Sequence, residues 1–312
     1  MSVMKAVRIH AFGGPEVLRL EEIERPEPKI DEILIRVEAA SVNPVDWKMR
    51  EGNYPAVQEE DLPYVLGRDV CGTVEKMGDG VAAFRPGDAV YAFLNPRHGG
   101  YEQFVIARPE EIAPKPRLMN PVQAAAIPLA GITAWQGLFD HGELQAGQRV
   151  LIHGGAGGVG HLAIQFAKAK GAWVATTVSS ANMDFARSLG ADQVIDYKSE
   201  RFEDAIEPVD MVFDLIAGET QDRSFGVVKP GGILVSTLTQ PDKNRASELG
   251  IRAVRYTAQP NGAQLAEISR LIEEGKVRVE VRRVYALEQA RAAQEAIQNE
   301  HNRGKIVLRV EH

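Results

Sequence analysis

Two regimes of apolar patterning divide the chain. Up to residue 120, β-formers in partial alternation predict strands over Val3–His10, Ile33–Ala39, Val70–Val74, Ala89–Phe93 and Tyr101–Ala107. They are parted by Gly78-Asp79-Gly80, Arg85-Pro86-Gly87-Asp88 and Gly99-Gly100. Many short strands with frequent turns suit an antiparallel sheet closing toward a barrel. From Asn120 onward, short apolar runs alternate with helical patterns. Val150–Ile152 leads into a helix through Lys170 and Trp173–Val178 into a helix through Leu189, and the runs Gln193–Ile195, Met211–Leu215 and Ile233–Ser236 keep the rhythm. Strand alternating with helix predicts a parallel sheet with right-handed crossovers. Beyond Tyr256 the pattern stops repeating, leaving helix Gln264–Glu274, strand Val279–Tyr285, helix Leu287–Asn299 and strand Lys305–Val310. This tail, 258–312, buries little core by itself, so it is expected to complete a first domain, 1–120, around a middle domain, 121–257.

The sharpest chemical signal is Gly154-Gly155-Ala156-Gly157-Gly158-Val159-Gly160, directly after an apolar strand and directly before a helix. Gly155, Gly157 and Gly160 fit G-x-G-x-x-G, in which the first glycine makes a tight turn, the second admits a pyrophosphate and the third lets helix and strand pack closely. A flexible turn is the plain alternative, but strand, helix and the following α/β units all agree with dinucleotide binding. The next strand ends Thr176-Thr177-Val178-Ser179-Ser180-Ala181-Asn182, with no acid before Asp184. An NAD site usually offers an acid there to the ribose 2′-hydroxyl. Ser179, Ser180 and Asn182 instead accept a 2′-phosphate without repulsion, which favours NADP, and the same residues would also cap the helix at Met183–Leu189.

Charge and composition narrow the partners. Acidic residues outnumber basic ones 43 to 36, for a net charge of −7, so the surface repels phosphate backbones and nucleic acid is not an expected partner. The single cysteine, Cys71, excludes an internal disulfide or a thiolate zinc cluster within one chain, and it reads as buried and inert. The opening Met1–Arg8 carries charge where a secretion signal needs an apolar run, and Val122–Trp135 is too short and too interrupted to span a bilayer. A cytoplasmic chain without a membrane partner is expected.

The chain resembles the zinc-free quinone oxidoreductase branch of the medium-chain dehydrogenase/reductase superfamily. The landmarks run in order along almost the whole sequence: Ala39–Trp47, Leu66-Gly67-Arg68-Asp69, Arg85–Val90, Gly99-Gly100-Tyr101, Ala130–Ala134, Gly154–Gly160 and Arg303–Leu308. The resemblance implies an α/β protein with a GroES-like β-barrel catalytic domain and a Rossmann doubly wound parallel-sheet domain, an active site in the cleft between them, NADPH as cofactor and a homodimer. Zinc enzymes of the superfamily carry their ligands at the positions filled here by Asn43, Arg68 and Leu129, and none of these is a usual zinc ligand. Without that Lewis acid, hydride transfer suits acceptors that are already electrophilic: a quinone or an α,β-unsaturated carbonyl such as an enone.

By the same resemblance Asn43 lies near nicotinamide and substrate and hydrogen-bonds the acceptor's oxygen, although Asn-Pro also starts turns. Asp46 orients its neighbours, and Trp47 walls the substrate pocket or is ordinary core. Tyr54 resembles the tyrosine that enoyl reductases present to substrate, with an exposed loop tyrosine as the alternative. Thr133 matches a cofactor-contacting threonine and Tyr197 one near the adenosine phosphate, while Asn182 stands where the family often has lysine. Lys305 either approaches the cofactor or is a solvated surface lysine, the second being the stronger expectation. His153 and His161 are placed near the phosphates; His10, His98, His141, His301 and His312 read as scattered. A cofactor-binding protein with a sensing, crystallin-like or RNA-binding role keeps the fold and drops the reaction, and a zinc-dependent alcohol dehydrogenase is a third reading.

Overall fold

Continuous apolar runs such as Val150-Leu151-Ile152, all fully buried, belong to strands covered on both faces, whereas half-exposed alternation belongs to sheets with a wet side. A computed structural model describes residues 2–300 and 303–312; Met1, His301 and Asn302 lie outside the described residues. It divides into two units. One holds Met1–Leu129, Pro260–Glu273 and Val279–His312, the other Ala130–Gln259 and Glu274–Arg278. The helix Pro121–Ala125 thus goes with the first unit, and the chain crosses into the second within the helix Pro128–Trp135.

The first unit is built on a seven-stranded sheet in the order Val281–Ala286, Lys305–Arg309, Ile33–Val42, Asp69–Met77, Ala89–Phe93, Ile112–Pro114, with Phe104–Ala107 also on Ile33–Val42. The ten-residue strand Ile33–Val42 organises it. Its first half pairs with Phe104–Ala107 and its last four residues with Lys305–Arg309, Ile306 facing Val42 and Leu308 facing Ala40. Asp69–Met77 runs antiparallel along its other side, with Asp69 opposite Ser41. A smaller sheet holds Arg19–Glu24, Val3–Ile9 and Tyr64–Val65. The tail contributes to this unit's core through Leu287, Ala290, Ala293, Ile306 and Leu308. The helix expected over Leu287–Asn299 opens with a 3-10 turn, Leu287–Gln289, before the α-helix Ala290–Asn299.

The second unit is a six-stranded parallel sheet ordered Gln193–Asp196, Trp173–Val178, Arg149–His153, Val209–Asp214, Val228–Ser236, Arg252–Arg255. Numbered along the chain that order is 3-2-1-4-5-6, the doubly wound Rossmann arrangement, whose ligands bind at the carboxyl ends of the strands. Helices Gly160–Ala169 and Met183–Ser188 are among the crossovers. Cys71 is buried in the first unit's sheet, and burial pushes its thiol well above the ordinary range.

Candidate active site

In the first unit the strand Ile33–Val42 passes directly into the helix Pro44–Arg50, with Asn43 as the extended N-cap residue (φ −126°, ψ 154°) and Pro44 as the first helical residue. Asp46 performs the capping: its Oδ2 accepts from the Asn43 backbone N–H at 2.7 Å. The Asn43 amide does not cap, and points inward. Its Nδ2 donates to Asp69 Oδ2 at 2.8 Å, and its Oδ1 accepts from Lys305 Nζ. Asp69 also accepts from Ser41 Oγ at 2.5 Å and from the Leu129 backbone N–H at 2.6 Å, with Lys305 Nζ 3.7 Å away. Asp46, Asp69 and Lys305 are therefore one cluster, joined by Asn43. The surface-lysine expectation for Lys305 is corrected: the residue is 4% exposed, because its strand pairs beside Ile33–Val42 and its ammonium finds a carboxylate and an amide there.

Two buried carboxyls share this neighbourhood with one ammonium. Asp46 accepts a further bond from Tyr101 Oη at 2.9 Å, while its Oδ1 is buried without a hydrogen-bond partner. Burial pushes its carboxyl up to about 7, opposed by the bonds from Asn43 and Tyr101. Burial likewise lowers the Lys305 ammonium, against the pull of Asp69 and Asp46. Trp47 is half-buried on the same helix, and Tyr54 is half-buried against the unit's core rather than an exposed loop residue. Sequence reasoning passed over Asp69, Ser41 and Tyr101 as functional residues. The available signal for Asp69 was a carboxylate opening the apolar run Val70–Val74.

In the second unit the glycine turn joins the strand Arg149–His153 to the helix Gly160–Ala169. The left-handed residue is Gly154 (φ 75°), so the tight turn assigned to Gly155 falls one position earlier. Gly155 is a glycine for packing: a Cβ there would lie 2.0 Å from Thr176 Oγ1. At Gly160 a Cβ would meet the Gly154 carbonyl oxygen at 2.2 Å. Gly157 differs, since a Cβ there would meet only that same oxygen, at 3.3 Å. Space over Gly157 is open where a phosphate would approach, and the helix starts at Gly160 after Val159, an N-cap residue that makes no side-chain cap. With Ala156, Gly158 and Val159, the turn fits a dinucleotide's pyrophosphate.

Around it, several expectations change. His153 is fully buried, its Nδ1 3.0 Å from Thr177 Oγ1 and its Nε2 2.9 Å from Ser224 Oγ, and burial lowers it to about 4. It ties strands to a helix, not to a phosphate. His161 is buried with Nδ1 2.9 Å from the Gly157 carbonyl oxygen. Neither Ser179 nor Asn182 caps a helix by its side chain; Asn182 Nδ2 donates to Ser179 Oγ at 3.1 Å and Ser180 Oγ to Asp196 Oδ2 at 2.6 Å. Thr133 is buried, its carbonyl accepting from Tyr256 Oη, and Tyr197 is 53% exposed. Among the described residues no group of three or more His, Cys, Asp or Glu is placed to hold a metal ion, and no helix is long and apolar enough to cross a membrane.

Comparison with known proteins adds the lineage. The alcohol dehydrogenase GroES-like domain family matches residues 29–117, and the zinc-binding dehydrogenase family matches 189–308. With a 3-2-1-4-5-6 sheet and its glycine turn, this is the build of an alcohol-dehydrogenase-like oxidoreductase. The sequence is 37% identical to the NADPH-dependent alkenal/one oxidoreductase of Arabidopsis thaliana chloroplasts, over 98% of this chain and 79% of that protein. It is 33% identical to the quinone oxidoreductase of Rattus norvegicus, over 98% of both chains. The structure of the quinone oxidoreductase from Coxiella burnetii superposes with a TM-score of 0.92 at 39% identity, over 99% of this chain and 100% of that one. The chain belongs to the quinone oxidoreductase branch of the medium-chain dehydrogenase/reductase superfamily.

Proposed function

We propose that the chain is an NADPH-dependent, zinc-independent reductase of a quinone or an α,β-unsaturated carbonyl compound. The observation that carries this reading is the Asn43 amide, buried and polarised between Lys305 and Asp69 at a position where zinc enzymes of the superfamily place a ligand. When bound, NADPH supplies the hydride. The chain's own residues position the acceptor and meet the charge that forms on its oxygen. One Nδ2–H of Asn43 is held by Asp69; the other has only long contacts to Ser41, at 3.4 and 3.5 Å, and is the donor left for an oxyanion. Lys305, bonded to Oδ1, withdraws density from the amide and strengthens that donor. Asp46 holds the Asn43 backbone, and Tyr54 supplies a phenol to an enolate. Trp47 lends a flat apolar face. Arg68 and Leu129, at the other two zinc-ligand positions, are engaged otherwise: the Arg68 Nε–H donates to the Leu94 carbonyl oxygen at 2.7 Å, and the Leu129 N–H is spent on Asp69.

The test follows NADPH consumption with 9,10-phenanthrenequinone and, separately, with 2-hexenal, each with and without a zinc chelator. Turnover of either acceptor that ignores the chelator is the expected result. Activity on the enal alone assigns a double-bond reductase and makes Tyr54 its proton donor. Activity abolished by the chelator, or none with either acceptor despite NADPH binding, refutes the proposal. Asn43→Ala is expected to lower kcat by about 10²-fold, the usual loss for one oxyanion donor, with NADPH affinity kept.

A further inference from the structure

We propose that Asp196 sets the cofactor preference of this chain, placing a carboxylate where the 2′-position of the adenosine ribose is held, so that NADH is accepted alongside NADPH. The inference rests on the dinucleotide reading of the glycine turn and deepens it.

The second and third Rossmann strands, Trp173–Val178 and Gln193–Asp196, pair in parallel with Val178 opposite Asp196, so their carboxyl ends stand side by side. The residues expected to hold the 2′-substituent follow the second strand. The acid that an NAD site usually carries there is absent from that strand and is supplied by its neighbour. Asp196 Oδ2 accepts from Ser180 Oγ at 2.6 Å and Oδ1 from the Lys198 backbone N–H at 3.1 Å. These bonds hold the carboxyl below its ordinary range, so it is ionised at neutral pH.

Positive charge to offset it is thin. Arg187 is paired with Asp184 at 2.8 Å. Lys198 holds Asp196 through its backbone N–H, and its side chain is exposed. Asn182, whose amide is spent on Ser179, brings none. A 2′-phosphate seated on Ser180 would face the ionised carboxylate about one hydroxyl away, whereas the 2′-hydroxyl of NADH would donate to it. Two negative charges meeting one across ~5 Å of screened water weaken binding by about tenfold, which is enough to cancel much of a phosphate's advantage.

The experiment titrates NADPH and NADH separately into the full chain, following the fluorescence of the reduced nicotinamide, at low and at moderate salt. The intact chain is expected to bind the two within about tenfold of each other, and Asp196→Asn to move the ratio toward NADPH by about tenfold. Salt should raise NADPH relative to NADH in the intact chain and lose that effect in the variant, because it screens a repulsion. A ratio unmoved by Asp196→Asn, or a hundredfold NADPH preference in the intact chain, overturns the proposal while leaving the dinucleotide reading standing. Binding of neither cofactor removes both.

Discussion

The titration of Asp46 gives a stability effect whose size and sign follow from its surroundings. Its ordinary pKa is 3.8 and burial raises it to about 7, a gap worth at most ~4 kcal/mol at ~1.4 kcal/mol per tenfold in proton affinity. The folded chain holds this proton up to about pH 7, whereas the unfolded chain loses it above about pH 4. Between these values the folded state binds more protons, so the stability Asp46 contributes is complete below pH 4 and is lost as pH rises through 7. Asp46→Asn removes the titration and keeps the cap, since the amide oxygen can accept from the Asn43 N–H and Tyr101 Oη in place of Oδ2. Urea unfolding of both proteins from about pH 5 to about pH 8.5 yields the difference in their free energies, in which the other titrating groups cancel. That difference is expected to shift in favour of the variant by ~2–3 kcal/mol between about pH 5 and about pH 7 and to level off above. A difference flat with pH would mean that Asp46 is ionised throughout, and the burial argument would fail.

Other outcomes follow from the same contacts. Gly160→Ala, with a Cβ 2.2 Å from the Gly154 carbonyl oxygen, should cost at least ~1–3 kcal/mol by chemical denaturation; Gly157→Ala, with its nearest atom at 3.3 Å, should keep the fold and lose NADPH affinity tenfold or more in a binding titration. Lys305→Met leaves Asp69 buried without its cation and should lower stability by ~3–5 kcal/mol; adding Asp69→Asn should restore part of that loss, as a double-mutant cycle of melting curves would register. Cys71, buried and with its thiol pushed up, should resist a thiol reagent in the native protein and react fully once it is unfolded.

What could be read from the sequence was whatever depends on neighbours along the chain. The parallel sheet of the second unit announced itself in apolar runs bounded by helical patterns, and the glycine turn in its spacing between a strand and a helix. Reading failed where a residue's surroundings come from far away. Lys305 is a lysine after Gly304, and nothing nearby hints that a strand pairing across more than 260 positions brings it to Asn43. Gly155 was given the turn because the motif's first glycine usually takes it; the left-handed residue is Gly154, and what requires a glycine at 155 is Thr176 Oγ1 filling the space beside it. Ser179 and Asn182 looked like caps by type, but their side chains bond each other.

The same distinction explains why charge was the hardest feature to place. An ionisable residue reads as surface unless its counter-group is visible, and here the counter-groups come from other strands: Asp69 beside Ser41 for Lys305, Asp196 beside Val178 for Ser180. In the first unit the strand pairing gathers an ammonium and two carboxyls into a buried cluster around the Asn43 amide. In the second it sets one carboxylate beside the Ser180 hydroxyl. In each case the backbone register selects the partner, so the hydrogen bonds that Asn43 and Ser180 make are properties of sheet pairing before they are properties of those residues.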